Sequence, residues 1–287
     1  MENFQYVEPA TIPELLALLA KHGEEAKVMA GGQSLIVMMR EELVNPKVVI
    51  GLRGLPELTG INDRAGEGLI LGAMATHRAV EKSGIVQERC RVLSQMETMV
   101  ASVQVRNKGT IGGAVCHAAP DGDPSPCLLA LGASAIVAGS KGQREVPLDG
   151  FFVDTFQTAL RADEVLTALC VPALSPRTGA SYVKFSARKA LDPSIVSVAV
   201  AITLGSDGVC QEARIALSGA GPVPARAKRA EGMLKGEKPQ GSLIKQVAAA
   251  VAEETKPISD FRASSEYRRV LARVLSTRAI DEALAQV

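Results

Sequence analysis

Hydrophobic residues follow two alternating patterns in the first 170 positions: three-to-four spacing, which predicts amphipathic helices, and short continuous runs, which predict buried strands. Thr11 and Glu14 have the spacing of a capping box, and the apolar residues after them predict a helix that ends at Gly23. The run 27–30 predicts a strand, from which a glycine-rich turn leads into a short helix at 35–40. The same patterns predict further strands at 48–50, 69–71 and 135–137 and further helices at 86–103 and 126–131.

The pattern changes after residues 172–179, where proline, serine and glycine interrupt every periodicity. Beyond them we expect three antiparallel strands, with the last two joined by a hairpin at Asp207-Gly208, and then three helices. The strands are predicted at 182–189, 195–204 and 210–217, and the helices at 224–235, 242–255 and 265–285. The chain is thus expected to be an α+β protein of two domains, residues 1–174, split into two subdomains near 55–60, and residues 175–287.

Charge and composition exclude several classes of function. The 287 residues include 32 Lys and Arg, 31 Asp and Glu, and no Trp, so neither a basic surface for nucleic acid nor an aromatic platform for bases is expected. No apolar segment has the length of a membrane span and the N-terminus lacks a secretory pattern, so we expect a cytoplasmic protein. The five cysteines are scattered and form no Cys-x-x-Cys pair, which favours reduced thiols and no metal site in this chain.

Two pairs of adjacent glycines, Gly31-Gly32 and Gly112-Gly113, are the candidate ligand-binding features. Glycine permits positive φ and leaves space for a ligand to approach, so that successive backbone N–H groups can converge on a phosphate. A hydroxyl lies near each pair, from Ser34 and Thr110. Neither loop has the spacing of a dinucleotide or triphosphate fingerprint, and a glycine pair by itself is more often an ordinary turn.

Other polar residues near the second pair have two interpretations each. Asp123 precedes a helix start, where its carboxylate can cap the helix or accept a hydrogen bond from a ribose hydroxyl. His117 is interpreted as a polar loop residue rather than a metal ligand, and Cys116 and Cys127 as small buried hydrophobic residues. We therefore find no catalytic nucleophile, base or metal site.

These motifs together resemble the FAD-binding (medium) subunits of the molybdenum hydroxylases, the family of carbon monoxide dehydrogenase and xanthine dehydrogenase. The resemblance rests on Ala30-Gly31-Gly32-Gln33-Ser34-Leu35, on Gly-Ala-Met-Ala-Thr-His at 72–77 and on Gln-Val-Arg-Asn-Lys-Gly-Thr-Ile-Gly-Gly at 104–113. The order and spacing match throughout, and the resemblance covers essentially the whole chain.

The resemblance implies a two-part α/β FAD-binding domain of the PCMH/vanillyl-alcohol-oxidase-like type, with the FAD diphosphate held between the two glycine loops. It also places an acidic residue, Asp123, near the ribose and Leu166 and Lys184 near the flavin ring, although Lys184 could instead be a solvated lysine on an edge strand. The cofactor-binding residues implied in this way are Ala30, Gly31, Gly32, Gln33, Ser34, Leu35, Thr110, Ile111, Gly112, Gly113, Ala114, Asp123, Leu166 and Lys184. We expect Gly112→Val to abolish FAD retention and leave the fold intact.

Three positions depart from the family pattern. Ala114 stands where an asparagine is common, Ala119 replaces a frequent aspartate, and Pro193 stands where some relatives have a tyrosine that covers the flavin. The chain also lacks the inserted Cys-rich loop that holds an extra iron–sulfur cluster in one branch of the family. Access of an acceptor to the flavin is therefore expected to differ from that in those relatives.

The implied function is electron transfer within a larger enzyme. In this family a large subunit carries molybdopterin and hydroxylates the substrate, a small subunit carries two [2Fe-2S] clusters, and the FAD passes electrons to an external acceptor. A dimer of heterotrimers is expected, with no catalytic side chain in this subunit. The alternatives are a stand-alone FAD-dependent oxidoreductase with its own substrate pocket and a flavin-free binding or assembly module.

Overall fold

The first unit of the chain is a small parallel sheet flanked by helices. The computed structural model describes residues 3–64, 66–188 and 192–287. The elements are β1 (Gln5–Val7), α1 (Ile12–His22), β2 (Ala26–Met29), α2 (Leu35–Arg40) and β3 (Val48–Gly51). The strand order is β1-β3-β2 and both pairings are parallel, so the fully buried β3 is central. Thr11 caps α1 as predicted, because its hydroxyl accepts a hydrogen bond from Glu14 N at 3.3 Å.

The second unit is a five-stranded antiparallel sheet covered by helices. Its elements are β4 (Ile61–Arg64), β5 (Gly68–Gly72), α3 (His77–Lys82), α4 (Gly84–Arg89), α5 (Arg91–Thr98), α6 (Val103–Arg106), α7 (Ile111–His117), α8 (Pro124–Ala130), β6 (Ser134–Gly139), β7 (Gly142–Pro147), β8 (Phe152–Asp154), β9 (Gln157–Thr158) and β10 (Glu164–Pro172). The sheet order is β4-β5-β10-β6-β7, and β8 pairs separately with β9. The sequence patterns gave no indication of β10, the central strand of this sheet.

The single helix predicted over 86–103 is wrong in extent. The chain breaks at Cys90 and again at 99–102, where Ala101 has a left-handed φ of 37° and the Ser102 hydroxyl caps α6. The apolar stripe faces the core as far as Val100, but Val103 is 46% exposed. Periodicity therefore identified the buried face and missed the two interruptions.

The third unit is an antiparallel sheet packed against helices. Its elements are β11 (Thr178–Phe185), β12 (Val196–Leu204), β13 (Cys210–Ser218), β14 (Ala225–Arg226), α9 (Lys228–Leu234), α10 (Gly241–Glu254) and α11 (Ser265–Leu284). The order β11-β12-β13-β14 adds one two-residue strand to the three predicted. The hairpin prediction is confirmed, since Gly208 has φ 77° and Gly205 N donates to Val209 O at 2.8 Å. The predicted strand end at Lys189 lies outside the described residues.

The third unit contacts the connection between α7 and α8. Gly219 N donates to Pro120 O at 2.7 Å, and the Arg262 guanidinium donates to the Asp121 carboxylate at 2.6 Å. Buried residues of β11 and β12, among them Tyr182 and Ala199, belong to the same apolar cluster as the second sheet. The third unit therefore binds the segment 118–123 through hydrogen bonds to Pro120 and Asp121.

Candidate functional site

The first glycine loop joins β2 to α2 at residues 30–34, as predicted. Gly32 has φ 73°, a left-handed conformation that favours glycine. The carbonyls of this loop are used, because Ile36 N donates to Gly32 O at 3.1 Å and Met38 N donates to Ser34 O at 3.0 Å. The backbone N–H groups of residues 31 to 35, by contrast, have no acceptor anywhere in the described part of the chain. Five consecutive donors are thus open to a ligand.

The second glycine pair lies in the first turn of α7, and its backbone donors are already used. Thr110 caps the helix by accepting a hydrogen bond from Gly113 N at 3.1 Å. Ile111 N donates to Ala75 O at 3.0 Å and Gly112 N to Ala73 O at 3.1 Å. The N–H of Thr110, a residue only 3% exposed, finds no acceptor among the residues that the structure describes. A buried donor without an acceptor is uncommon in proteins, so this amide is a candidate for a further ligand contact.

Gly112 is required by packing within the protein. A Cβ built at this position would lie 2.6 Å from both Ala73 O and Ala73 Cβ. The expectation that Gly112→Val leaves the fold intact is therefore wrong, because the valine would push α7 away from the segment after β5. Loss of FAD in that variant would not distinguish a lost ligand contact from a displaced helix.

The two glycine loops contact each other. A Cβ on Gly31 would lie 2.0 Å from Lys108 O and 2.8 Å from Gly109 Cα, so only glycine allows this approach. On the other side, a Cβ on Gly113 would lie 3.5 Å from the Ala30 Cβ. The structure thus brings the two predicted motifs together into one junction between the first and second units.

Asp123 is the centre of a buried polar network. Its Oδ1 accepts hydrogen bonds from Tyr182 Oη at 2.7 Å and Ser194 Oγ at 2.6 Å, and its Oδ2 accepts from Lys184 Nζ at 2.7 Å. The side chain makes no capping bond to α8, so the capping interpretation is wrong. Burial and the adjacent Asp123 carboxylate raise the pKa of Tyr182 well above its usual value, which keeps this phenol a donor.

Lys184 is on an edge strand, as one interpretation required, but it is not solvated. Its side chain is 7% exposed, and Nζ donates to Met99 O at 3.0 Å as well as to Asp123.

Leu166 is also buried, and it lies at an irregularity in the pairing of β10. The carbonyl of the next residue, Thr167, accepts a hydrogen bond from Ala73 N at 2.9 Å. Through Ala73, which also bonds Gly112, Leu166 lies near the second glycine pair.

Two of the departures from the family pattern lie in or next to α7. Ala114 lies in α7, one residue after the glycine pair, and Ala119 follows that helix. His117 is the last residue of α7 rather than a loop residue, and its ring centroid lies 5.0 Å from that of Phe156. Asp192 accepts hydrogen bonds from Arg188, and residues 189–191 lie outside the description.

Sequence reasoning missed the residues that support the site. His77 Nδ1 lies 2.8 Å from Glu97 Oε2, and both side chains are buried. Tyr182 and Ser194, which bind Asp123, were not recognised either. His77 lay inside a motif already noted at 72–77, so its position was available, whereas Glu97, Tyr182 and Ser194 carry no local signal.

Within residues 3–64, 66–188 and 192–287, no group of three or more His, Cys, Asp or Glu side chains could hold a metal ion, and no helix could cross a membrane. Two concave surface pockets, one lined by Arg89 and Pro172 and the other by Pro222 and Lys256, include no residue of the glycine loops.

Comparison with known proteins gives matches over both halves of the chain. Residues 2–174 match the family model described as the FAD binding domain in molybdopterin dehydrogenase, and residues 181–283 match the CO dehydrogenase flavoprotein C-terminal domain. The carbon monoxide dehydrogenase medium chain of Hydrogenophaga pseudoflava is 34% identical over 284 residues, which are 99% of this chain and 98% of that protein. The nicotine 6-hydroxylase medium subunit of Paenarthrobacter nicotinovorans is also 34% identical, over 98% of each chain.

Solved structures agree with these matches. The carbon monoxide dehydrogenase from Hydrogenophaga pseudoflava that lacks the Mo-pyranopterin moiety of the molybdenum cofactor superposes with a TM-score of 0.96 at 34% identity, over 99% of this chain and 98% of that one. Quinoline 2-oxidoreductase from Pseudomonas putida 86 gives 0.91 at 32% identity, with the same coverage. The predicted α+β fold class is confirmed, and the chain carries an FAD-binding domain. The chain therefore belongs to the FAD-binding medium subunits of the molybdenum hydroxylase family.

Proposed function

We propose that this chain transfers electrons through bound FAD, from [2Fe-2S] clusters on a small partner subunit to an external acceptor. A large molybdopterin subunit would hydroxylate the substrate, and the assembly would be a dimer of heterotrimers in the cytoplasm. Support comes from family membership and from relatives named as medium chains and medium subunits of dehydrogenases and hydroxylases. When bound, the flavin supplies the chemistry, since it exchanges electrons singly or in pairs.

The single observation that carries FAD binding is the run of free backbone donors at residues 31–35. A diphosphate offers several anionic acceptor oxygens, and convergent backbone amides are a recurrent site for such groups. The backbone N–H of the buried Thr110 also lacks an acceptor in the described chain, and a bound diphosphate could supply one. The residues present thus fit the cofactor.

We assign a role to each of three parts of this site. The first loop, residues 30–35, would bind the diphosphate through its amides, while residues 110–114 would hold that loop in place and contribute the amide of Thr110. Asp123, Leu166 and Lys184 would form the part of the site next to the ribose and the ring. Because Lys184 and Asp123 are paired, the pair brings no net charge to the flavin. Residues 1–174 would form the FAD-binding domain and 175–287 the domain that packs on it.

The surface of α2 supports a subunit rather than a self-sufficient enzyme. Five of its six residues are apolar, yet only Met39 is buried, and Ile36 and Val37 are 44% and 54% exposed. Leu43, just after the helix, is 70% exposed. Apolar side chains that cluster on the surface beside a functional loop indicate contact with another protein.

A matched pair of variants at Ser34 tests the diphosphate assignment. Ser34 is the N-cap residue of α2 and its hydroxyl makes no capping bond, so Asp and Asn, both good N-cap residues, should preserve the helix. Like charges about 5 Å apart near a protein surface repel by about 3 kcal/mol, or roughly a hundredfold in affinity. We expect Ser34→Asp to lose FAD on desalting and Ser34→Asn to retain it; equal retention by the two would contradict a diphosphate at this loop.

The electron-transfer assignment is tested by purification of the tagged chain from its host. A coloured complex with a larger molybdopterin subunit and a small iron–sulfur subunit is the expected result. A yellow protein that purifies alone and is reduced directly by a small molecule would support the stand-alone oxidoreductase. A colourless protein that does not bind added FAD would support the flavin-free module.

A further inference from the structure

A buried histidine–glutamate pair lies behind the junction of the glycine loops. His77 is 4% exposed and Glu97 is fully buried, and a single hydrogen bond of 2.8 Å joins Nδ1 to Oε2. The other carboxylate oxygen, Glu97 Oε1, is buried without a partner in the described chain. Within the described chain the His77 ring is the one hydrogen-bond partner of the Glu97 side chain, and a positive charge on that ring would offset the cost of burying the carboxylate.

His77 contacts the second glycine loop through both its backbone and its ring. His77 N donates to Gly109 O at 3.0 Å, one of three backbone hydrogen bonds that join residues 73–77 to residues 109–112. A Cβ on Gly109 would lie 3.1 Å from His77 Cδ2, so the ring packs directly against this glycine. Gly109 in turn touches Gly31. The imidazole therefore supports the point where the two loops meet.

The charges around His77 come from three other elements. Glu97 on α5 is bonded to the ring, Asp123 precedes α8 and is paired with Lys184, and Arg106 on α6 is bonded through Nε to Glu81 Oε2 at 3.0 Å. Burial and, to a smaller extent, the positive charge of Arg106 lower the pKa of His77. The charge and hydrogen bond of Glu97 and the charge of Asp123 raise it by more, so the pKa of His77 lies above its usual value. The protonated ring is thus favoured in the folded chain, and this contribution is lost as pH rises through the raised pKa.

We infer that His77 is a positioning residue for the cofactor: as an imidazolium held by Glu97, it fixes the junction of the glycine loops, and loss of its proton would leave Glu97 without its counter-charge behind that junction. This inference rests on the proposed function, because it assigns a role toward FAD. If so, the affinity for FAD depends on the protonation of a buried side chain. A diphosphate diester has no group that titrates between pH 6 and 9, so the dependence comes from the protein.

The test measures FAD affinity by flavin fluorescence on the full chain between pH 6 and 9. The wild-type affinity should fall as pH rises. The double variant His77→Gln/Glu97→Gln keeps an amide hydrogen bond and leaves no lone buried charge, so it should fold. It should bind FAD severalfold more weakly at pH 6, because the ion pair that fixes the junction is absent, and its affinity should not depend on pH. His22→Gln, which removes a half-buried imidazole at the end of α1, is the matched control and should behave as wild type.

Proton NMR of the free chain gives a readout that does not involve the cofactor. The chain has three histidines, so their ring signals can be assigned with single variants. His77 should titrate at higher pH than His117, whose pKa is lowered by burial, and Glu97→Gln should move the His77 titration downward. If wild type and the double variant bind FAD equally and without pH dependence, the inference is wrong. If wild type binds no FAD at any pH, the proposed function itself fails.

Discussion

Gly31 is so close to the second loop that we expect even the methyl group of an alanine at this position to push the two loops apart. In Gly31→Ala the new methyl carbon would lie 2.0 Å from Lys108 O, whereas unbonded carbon and oxygen atoms rarely approach closer than about 3.3 Å. The loops must move apart by more than about 1 Å, and the obstacle is backbone, which cannot rotate away. Overpacking of this kind costs about 1–3 kcal/mol.

We expect two measurable effects of Gly31→Ala, one on the thermal midpoint of the apoprotein and one on the affinity for FAD. For a protein of this size, about 2 kcal/mol lowers the thermal midpoint of the apoprotein by roughly 4–8 °C. The loss of one charge-assisted hydrogen bond from an amide of the first loop costs about 1.5–3 kcal/mol, so FAD affinity should fall about tenfold or more. Differential scanning calorimetry and a fluorescence titration with FAD measure the two effects separately.

Gly84→Ala is the matched control. A Cβ at Gly84 would meet no atom within 4 Å, and the residue has no positive φ, so this change should be neutral or stabilise by about 0.5–1 kcal/mol. An unchanged thermal midpoint and an unchanged FAD affinity in Gly31→Ala would show that the loops are not held at the distance described, and the account of the junction would be wrong.

Two further predictions concern charged groups that join the units. Lys184→Met should leave Asp123 buried without its counter-charge and lower the free energy of unfolding by about 3–5 kcal/mol in urea titrations, whereas Lys82→Met at an exposed position should change it little. Desolvation raises the pKa of Asp260, but hydrogen bonds, led by that from Arg268, hold it well below its usual value. Stability from this carboxylate is present above the unfolded pKa and lost as pH falls through the folded one, so Asp260→Asn should weaken the acid dependence of the thermal midpoint below pH 4; a parallel curve for both proteins would refute this.

Local sequence signals predicted the parts of the fold that depend on neighbours in the chain. The cap at Thr11, the Asp207-Gly208 hairpin and the turn from β2 into α2 each depend on a few adjacent residues. The central strand β10 was missed because it pairs with β5, about a hundred residues earlier, as well as with β6, and because the polar Thr167 interrupts its apolar run. Local patterns carry no information on which distant strands will pair.

The same limit applies to the site. The sequence identified Asp123 and Lys184, but it could not show that they bind each other across 61 positions, or that Tyr182 complements the same carboxylate. Two opposite interpretations of Lys184 were equally open until the pairing was known. A buried network joins residues whose only shared property is their position in the folded chain.

The two glycine pairs show why identical residues in sequence need not have the same role. Gly112 has no Cβ because Ala73 occupies that space, and its amide is bonded within the protein. Gly31 also lacks a Cβ for a protein reason, its contact with Lys108, but its amide and the four that follow have no acceptor in the described chain. We therefore expect a phosphate to be bound chiefly by the first loop, with the second loop acting mainly as the surface that holds the first in place. It follows that substitutions in the second loop should alter FAD binding only together with stability, whereas charge changes such as Ser34→Asp should alter FAD binding alone.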